Sequence, residues 1–283
     1  MSAGTNMTVQ GAASGTTRSD RVTSAIAQAS RRTGMDFGYL LGQAKIESSL
    51  NPTAKARTSS ATGLYQFIDQ SWLAVIDKHG DKYGLGWAAD AVKRSASGRY
   101  SVSDPQLRQQ ILDLRKHPET ASVMAAEHAA DNKEFLEERL GRKAESVDLY
   151  LAHFLGAGGA AKFLRTHDAY PNASAASMFP AAASANKSIF YDKSGQPRSF
   201  AEIRQNFAAK LGRATQNAMN GGSAANIAGQ DFAALALSGT DQSAEYARTE
   251  TQRLQQSLTA NDLVRPQPQT ARLAYLMLAT FGR

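Results

Sequence analysis

Helix start and stop signals recur along this chain, while alternating apolar runs, the mark of half-buried strands, are nearly absent. That combination restricts the fold to a mainly α architecture. Asp36 is placed to cap a helix, and Asp104-Pro105 pairs an N-cap with proline at the first helical position. Pro118 opens a long helical pattern over 119–140 that Gly141 closes, Ser146 is placed to cap the segment through Tyr150 and Leu155, and Ser199 with Glu202 forms a capping box for 200–211. A first helix starts near Ser19 or Asp20, with Val22, Ile26 and Ala29 on one face, and ends at Gly34. A further helix is expected over 66–78, a loop-rich stretch holding Trp87 over 80–98, a helix-helix turn at "GAGG", a polar loop over 170–176 and an exposed turn at "YDKSGQPRS". By spacing, Met124, Phe135, Leu136 and Leu140 belong to helix cores.

Composition divides the chain into four. Residues 1–18, poor in large apolar side chains, read as a disordered tail, and 19–212 as one helical domain. Residues 213–243 loosen to Ala, Asn, Gly, Ser and Gln, a linker, and 244–283 form a helical extension whose apolar end, 271–281, either seals the domain or binds a partner. At 283 residues and 42% hydrophobic content a sizeable core is available, and no apolar run approaches a bilayer span. The start lacks the basic and apolar regions of a secretory signal, so the export route is not legible.

The absence of cysteine excludes disulfides and thiolate chemistry, and the five histidines, His79, His117, His128, His153 and His167, lack close metal-ligand spacing. Neither a metal nor another cofactor is expected. A net charge of +7 favours anionic polymers or surfaces, among them cell-wall peptidoglycan, but the basic residues are scattered and carry no nucleic-acid motif. Nucleic acid is therefore not an expected partner, and the protein is expected to be a monomer.

Within "LLGQAKIESSLNPTAKARTSSATGLYQFI" the residues Leu40, Ala44 and Glu47 fall four and three apart, which puts a carboxylate in line with the buried stripe, just before Asn51-Pro52 ends the helix. Desolvation and the negative end of the helix dipole both disfavour its ionisation, so Glu47 is expected to hold its proton more tightly than usual, as a general acid for glycosidic cleavage must. Spacing alone also fits a glutamate that turns to solvent at a frayed helix end and pairs with Lys45 or Lys55, and does not decide between the two. Gly63 allows a close backbone approach or a positive φ, Tyr65 can stack on a sugar, and Gln66 offers both donor and acceptor to an acetamido group; their plain alternatives are a turn glycine, a core aromatic and a surface residue.

The string "ESSLNP", a small polar loop and then "ATGLYQF" resembles the catalytic region of lytic transglycosylases related to goose-type lysozyme, where Glu-Ser-x-x-Asn-Pro is followed by Gly-Leu-x-Gln. A third family segment, Ala-Tyr-Asn-Ala-Gly-x-Gly, corresponds to "AHFLGAG", residues 152–158, with His153 in place of tyrosine and Phe154 in place of asparagine. The match covers about 21–211. It implies a lysozyme-like fold, Glu47 as catalytic acid and then base, and a glycan-binding set of Ser48, Ser59, Gly63, Leu64, Tyr65, Gln66, His153, Phe154 and Tyr191. It further implies peptidoglycan glycan strands as partner and a periplasmic or cell-wall location; the apolar C-terminal helix, outside the match, leaves a cell-envelope assembly partner open.

A two-carboxylate glycosidase needs a second acid about 5 Å away if retaining, or about 6.5–9.5 Å if inverting. No acidic residue lies between Ser48 and Ile68, leaving Asp69, Asp77, Asp81, Asp90, Asp104 or more distant residues. The single-acid route to a 1,6-anhydro sugar is the family's; a hydrolytic muramidase, or a non-catalytic wall-binding or assembly protein, stays open.

Overall fold

The computed structural model describes residues 18–220; the N-terminal tail to residue 17, the linker beyond 220 and the helical extension lie outside the described residues. In chain order the elements are α1 (Arg18–Thr33), α2 (Phe37–Ser48), α3 (Asp69–His79), α4 (Gly86–Ala91), a two-residue hairpin of β1 (Lys93–Arg94) and β2 (Tyr100–Ser101), α5 (Pro105–Asp113) and α6 (Pro118–Leu140). There follow α7 (Ser146–Ala169), three short helices α8 (Ala175–Met178), α9 (Pro180–Ala185) and α10 (Lys187–Phe190), and α11 (Phe200–Met219). The described chain is mainly helical, as expected. No helix among the described residues is long and apolar enough to cross a membrane.

Local chemistry sets the helix ends. Asp36 accepts from the Tyr39 amide at 2.6 Å, Asp104 from the Gln106 and Leu107 amides at 2.8 and 3.2 Å, and Ser199 and Glu202 complete their box. Gly141 ends α6 in the left-handed region, φ 66°. Ser146 does not cap α7: Glu145 does, in a box with Asp148, because Asp148 rather than Ser146 reaches back to the cap amide, at 3.1 Å. The expected helix at 66–78 begins only at Asp69, since Gln66 has φ 49° and stands in a turn. Trp87 lies on α4, and the stretch expected as loop also holds β1, the first strand of the hairpin. Residues 213–219 continue α11 instead of starting a linker, with Ala218 buried at its end and the Thr215 hydroxyl donating to the Gly38 carbonyl at 2.9 Å.

Five long helices make the frame. α1 packs on α6, α6 on α7, and α11 lies along both α2 and α7, so one end of α2 and the middle of α7 are brought to the same helix. Gly42 permits the α2–α11 approach: a β-carbon there would stand 2.3 Å from the Thr215 hydroxyl oxygen. The remaining face is closed by α3, whose fully buried Trp72 donates to the Ile111 carbonyl at 2.7 Å, and whose Lys78 and His79 meet Asp131 of α6. Met124 and Leu136 are fully buried, with Phe135 and Leu140 packed beside them.

The start of α7 is tied to α11 by charge. Asp148 is fully buried and accepts from Arg142 at 2.7 Å and from Arg204 at 2.9 and 3.1 Å. Asp148→Ala removes the buried acceptor that the two guanidinium groups share and leaves Arg204 with Glu145 at 3.0 Å and Arg142 with Asp168 at 3.5 Å, so a loss of about 3 kcal/mol is expected, read as a lower urea midpoint with an unchanged slope.

Candidate active site

Glu47 occupies the last turn of α2, one residue before the helix stops, and its side chain is 20% exposed. The stop is sharp. Ser49 and Leu50 are both left-handed, φ 55° and 65°, and with Gln66 they are the positive-φ residues other than glycine among the described residues. All three fall in the stretch that carries the carboxylate, and such conformations cost about 1–3 kcal/mol each and persist only where surroundings enforce them.

The enforcing contacts are visible. Ser48 donates from its hydroxyl to the Leu64 carbonyl at 2.8 Å, joining the end of α2 to the following loop. Gln66 turns its amide inward, to the Gly63 and Ala54 carbonyls at 2.9 and 3.1 Å, and Ser59 accepts from the Ala61 amide at 3.1 Å. The loop is then gripped by Arg115, a buried guanidinium that donates to the carbonyls of Ser60 and Phe67 and to Asp69, each at 2.9 Å. Gly63 has φ 85°, and a β-carbon there would lie 2.0 Å from the Arg115 carbonyl oxygen.

These positions correct two expectations. Tyr65 is 1% exposed and packed in the core, and Leu64 is fully buried, so neither presents a face to a sugar; the loop turns both side chains inward between its anchors. The close approach at Gly63 is to the chain's own backbone. Ser48, Ser59 and Gln66 spend the hydrogen bonds just named on holding the loop.

The third segment reaches the carboxylate. On α7, His153 Nε2 stands 3.4 Å from Glu47 Oε1, and the Tyr150 hydroxyl, one helical turn earlier, also lies 3.4 Å from that oxygen. The two rings are stacked, 6.1 Å apart and 17° from parallel. Lys210 of α11 lies with Nζ 5.8 Å from the Tyr150 ring centroid and acts on the carboxylate by its charge. The "GAGG" turn is a kink: Gly156, φ 73° and ψ 157°, breaks α7 just past this cluster. Phe154 packs its ring on Phe207, centroids 5.2 Å apart. Tyr191 belongs to the turn after α10, where its carbonyl accepts from Arg198 and its amide donates to Lys187 at 2.8 Å.

The acidity of Glu47 runs opposite to the expectation. Burial raises it, but the hydrogen bond and charge of His153, the charge of Lys210 and the Tyr150 hydrogen bond together outweigh burial, and the carboxyl is held below the ordinary carboxylate range. Helix burial and dipole were a partial account, because the opposing groups arrive from α7 and α11. Burial, with the Glu47 charge next, pushes Tyr150 upward, so its hydroxyl stays a donor. Burial pushes His128 of α6 down to about 4, with the charge of His153 second.

Of the candidate second carboxylates, Asp69 is bound by Arg115 and Arg108 at 2.9 and 2.6 Å, Asp104 caps α5, and Asp77, Asp81 and Asp90 are exposed. Of three concavities, of about 440, 470 and 710 Å³, the second borders the same helix end through Lys45, Ser49 and Leu50, and none of the three includes Glu47 in its lining. Tyr150 and Lys210 were missed in the sequence. The three-residue spacing of Tyr150 and His153 on one helix was a usable signal for the first; nothing local marks the second. No family model matches the chain.

Proposed function

We propose that the chain is a lysozyme-like peptidoglycan lytic transglycosylase that cleaves the β-1,4 bond between N-acetylmuramic acid and N-acetylglucosamine. Glu47 gives a proton to the linking oxygen as the C1–O bond breaks, and the substrate's acetamido group stabilises the positive charge that develops. The carboxylate then takes the proton of the C6 hydroxyl while that oxygen closes on C1, leaving a 1,6-anhydro end. No metal or cofactor takes part, and the work is done where the wall is, in the periplasm or at the cell wall.

One observation carries this reading: a partly exposed carboxylate at a strained helix end, with a histidine and a tyrosine converging on a single oxygen at 3.4 Å. The engagement of Asp69 and Asp104 elsewhere supports the single-acid route over a two-carboxylate one. Purified protein mixed with cell-wall sacculi tests it: turbidity should fall and soluble glycan fragments should appear. Sedimentation with sacculi and no release would instead identify a wall-binding protein.

A further inference from the structure

The position that follows Ala152 is a histidine, and its ring is aimed at the acid. We propose that Glu47 and His153 form a pair sharing one dissociable proton, held on the imidazole until Glu47 delivers it. The inference rests on the catalytic reading above and makes His153 a positioning residue acting through Glu47 rather than a sugar contact.

The geometry fits that role. Nε2 and Oε1 are 3.4 Å apart, slightly beyond the usual range of about 2.7–3.2 Å, and catalytic hydrogen bonds commonly tighten when substrate enters. Stacking on Tyr150 fixes the plane of the ring. The groups facing the pair are Tyr150 from α7, which stays protonated, Lys210 from α11, Tyr39 from α2 and His128 from α6, which is neutral at neutral pH. A carboxyl held below its ordinary range is ionised at neutral pH and alone has no proton to give. Coupled groups, however, lose their protons in two steps that belong to the pair, and between those steps one proton remains. Its transfer breaks Nε2–H and forms O–H on Glu47, leaving a neutral imidazole. The same proton then passes to the glycosidic oxygen, and the C6 hydroxyl returns one to the pair, so the cycle is balanced.

The test is titration of the full chain labelled with ¹³C in glutamate and ¹⁵N in histidine, without substrate. The wild type should show two inflections at the Glu47 carboxyl carbon, the upper one coinciding with the His153 ring. His153→Gln should abolish the upper inflection and move the lower one upward by about one unit or more. On sacculi, the alkaline limb of the rate profile should move to lower pH in that variant. A single Glu47 inflection in the wild type, unrelated to the His153 ring, overturns the pair, and this measurement decides even if the variant fails to fold. Two coupled inflections in a protein that does not clear sacculi would uphold the pair and defeat the catalytic reading.

Discussion

Glu47→Gln is expected to leave the protein folded and to reduce glycan release by about 10²–10⁴-fold or more, the range a general acid contributes. The amide keeps the shape of the carboxyl and accepts from Tyr150 and His153 through its oxygen, so the helix end and its loop should hold. It has no proton of suitable acidity to give, and afterwards no carboxylate to receive one from the C6 hydroxyl, so both halves of the reaction fail. A second consequence follows from the lowered acidity constant. A carboxyl whose folded value lies below its unfolded one stabilises the fold above the unfolded value, about 4.3, and that contribution disappears as pH falls through the folded value. The amide variant should therefore be no more heat-stable than the wild type at neutral pH, in contrast to a site where the acid is a burden to the fold. Calorimetry at pH 7 checks this; a clear rise in melting temperature would mean that burial, not His153 and Lys210, dominates.

Gly63→Ala is expected to cost about 3–5 kcal/mol, which for a domain of this size lowers the melting temperature by about 10 °C. Two effects act together. The backbone at φ 85° is one that a β-carbon disfavours, and the added atom would stand 2.0 Å from the Arg115 carbonyl oxygen. Relief by backbone movement is blocked, because the guanidinium of the same arginine holds the carbonyls of Ser60 and Phe67. Moving one end therefore loosens the other, and with it the Leu64 carbonyl that anchors Ser48 beside the acid. Gly158→Ala is the control: it is exposed, in α7, and a β-carbon there meets nothing within 4 Å. That change should be neutral or slightly stabilising, and equal effects of the two substitutions would contradict the account of the loop.

The elements legible in the sequence are those whose causes are local. Asp36, Asp104-Pro105, Gly141 and the Ser199–Glu202 box each satisfy backbone groups within a few residues, and the helices begin or end where those residues stand. Gln66 was misread as helical because its left-handed backbone is imposed by carbonyls at Ala54 and Gly63, in a loop gripped from Arg115. For Tyr65 the structure takes the plain alternative, a core aromatic, over the sugar contact that the resemblance implies, because nothing local in a tight loop reveals which side chains turn inward. The position of Glu47 on the buried stripe was readable from its spacing with Leu40 and Ala44, whereas its acidity was not. Lys210 lies far along the chain, on a helix whose packing against α2 no local pattern announces.

The central claim, one glutamic acid driving an internal ring closure on an amino-sugar chain, is tested most directly by the mass of the released glycan ends. Digestion of sacculi by the wild type should yield muramic ends lighter by one water than reducing ends, with none formed by Glu47→Gln. Ends that carry the added water would show that a water molecule, not the C6 hydroxyl, attacks C1, and would contradict it.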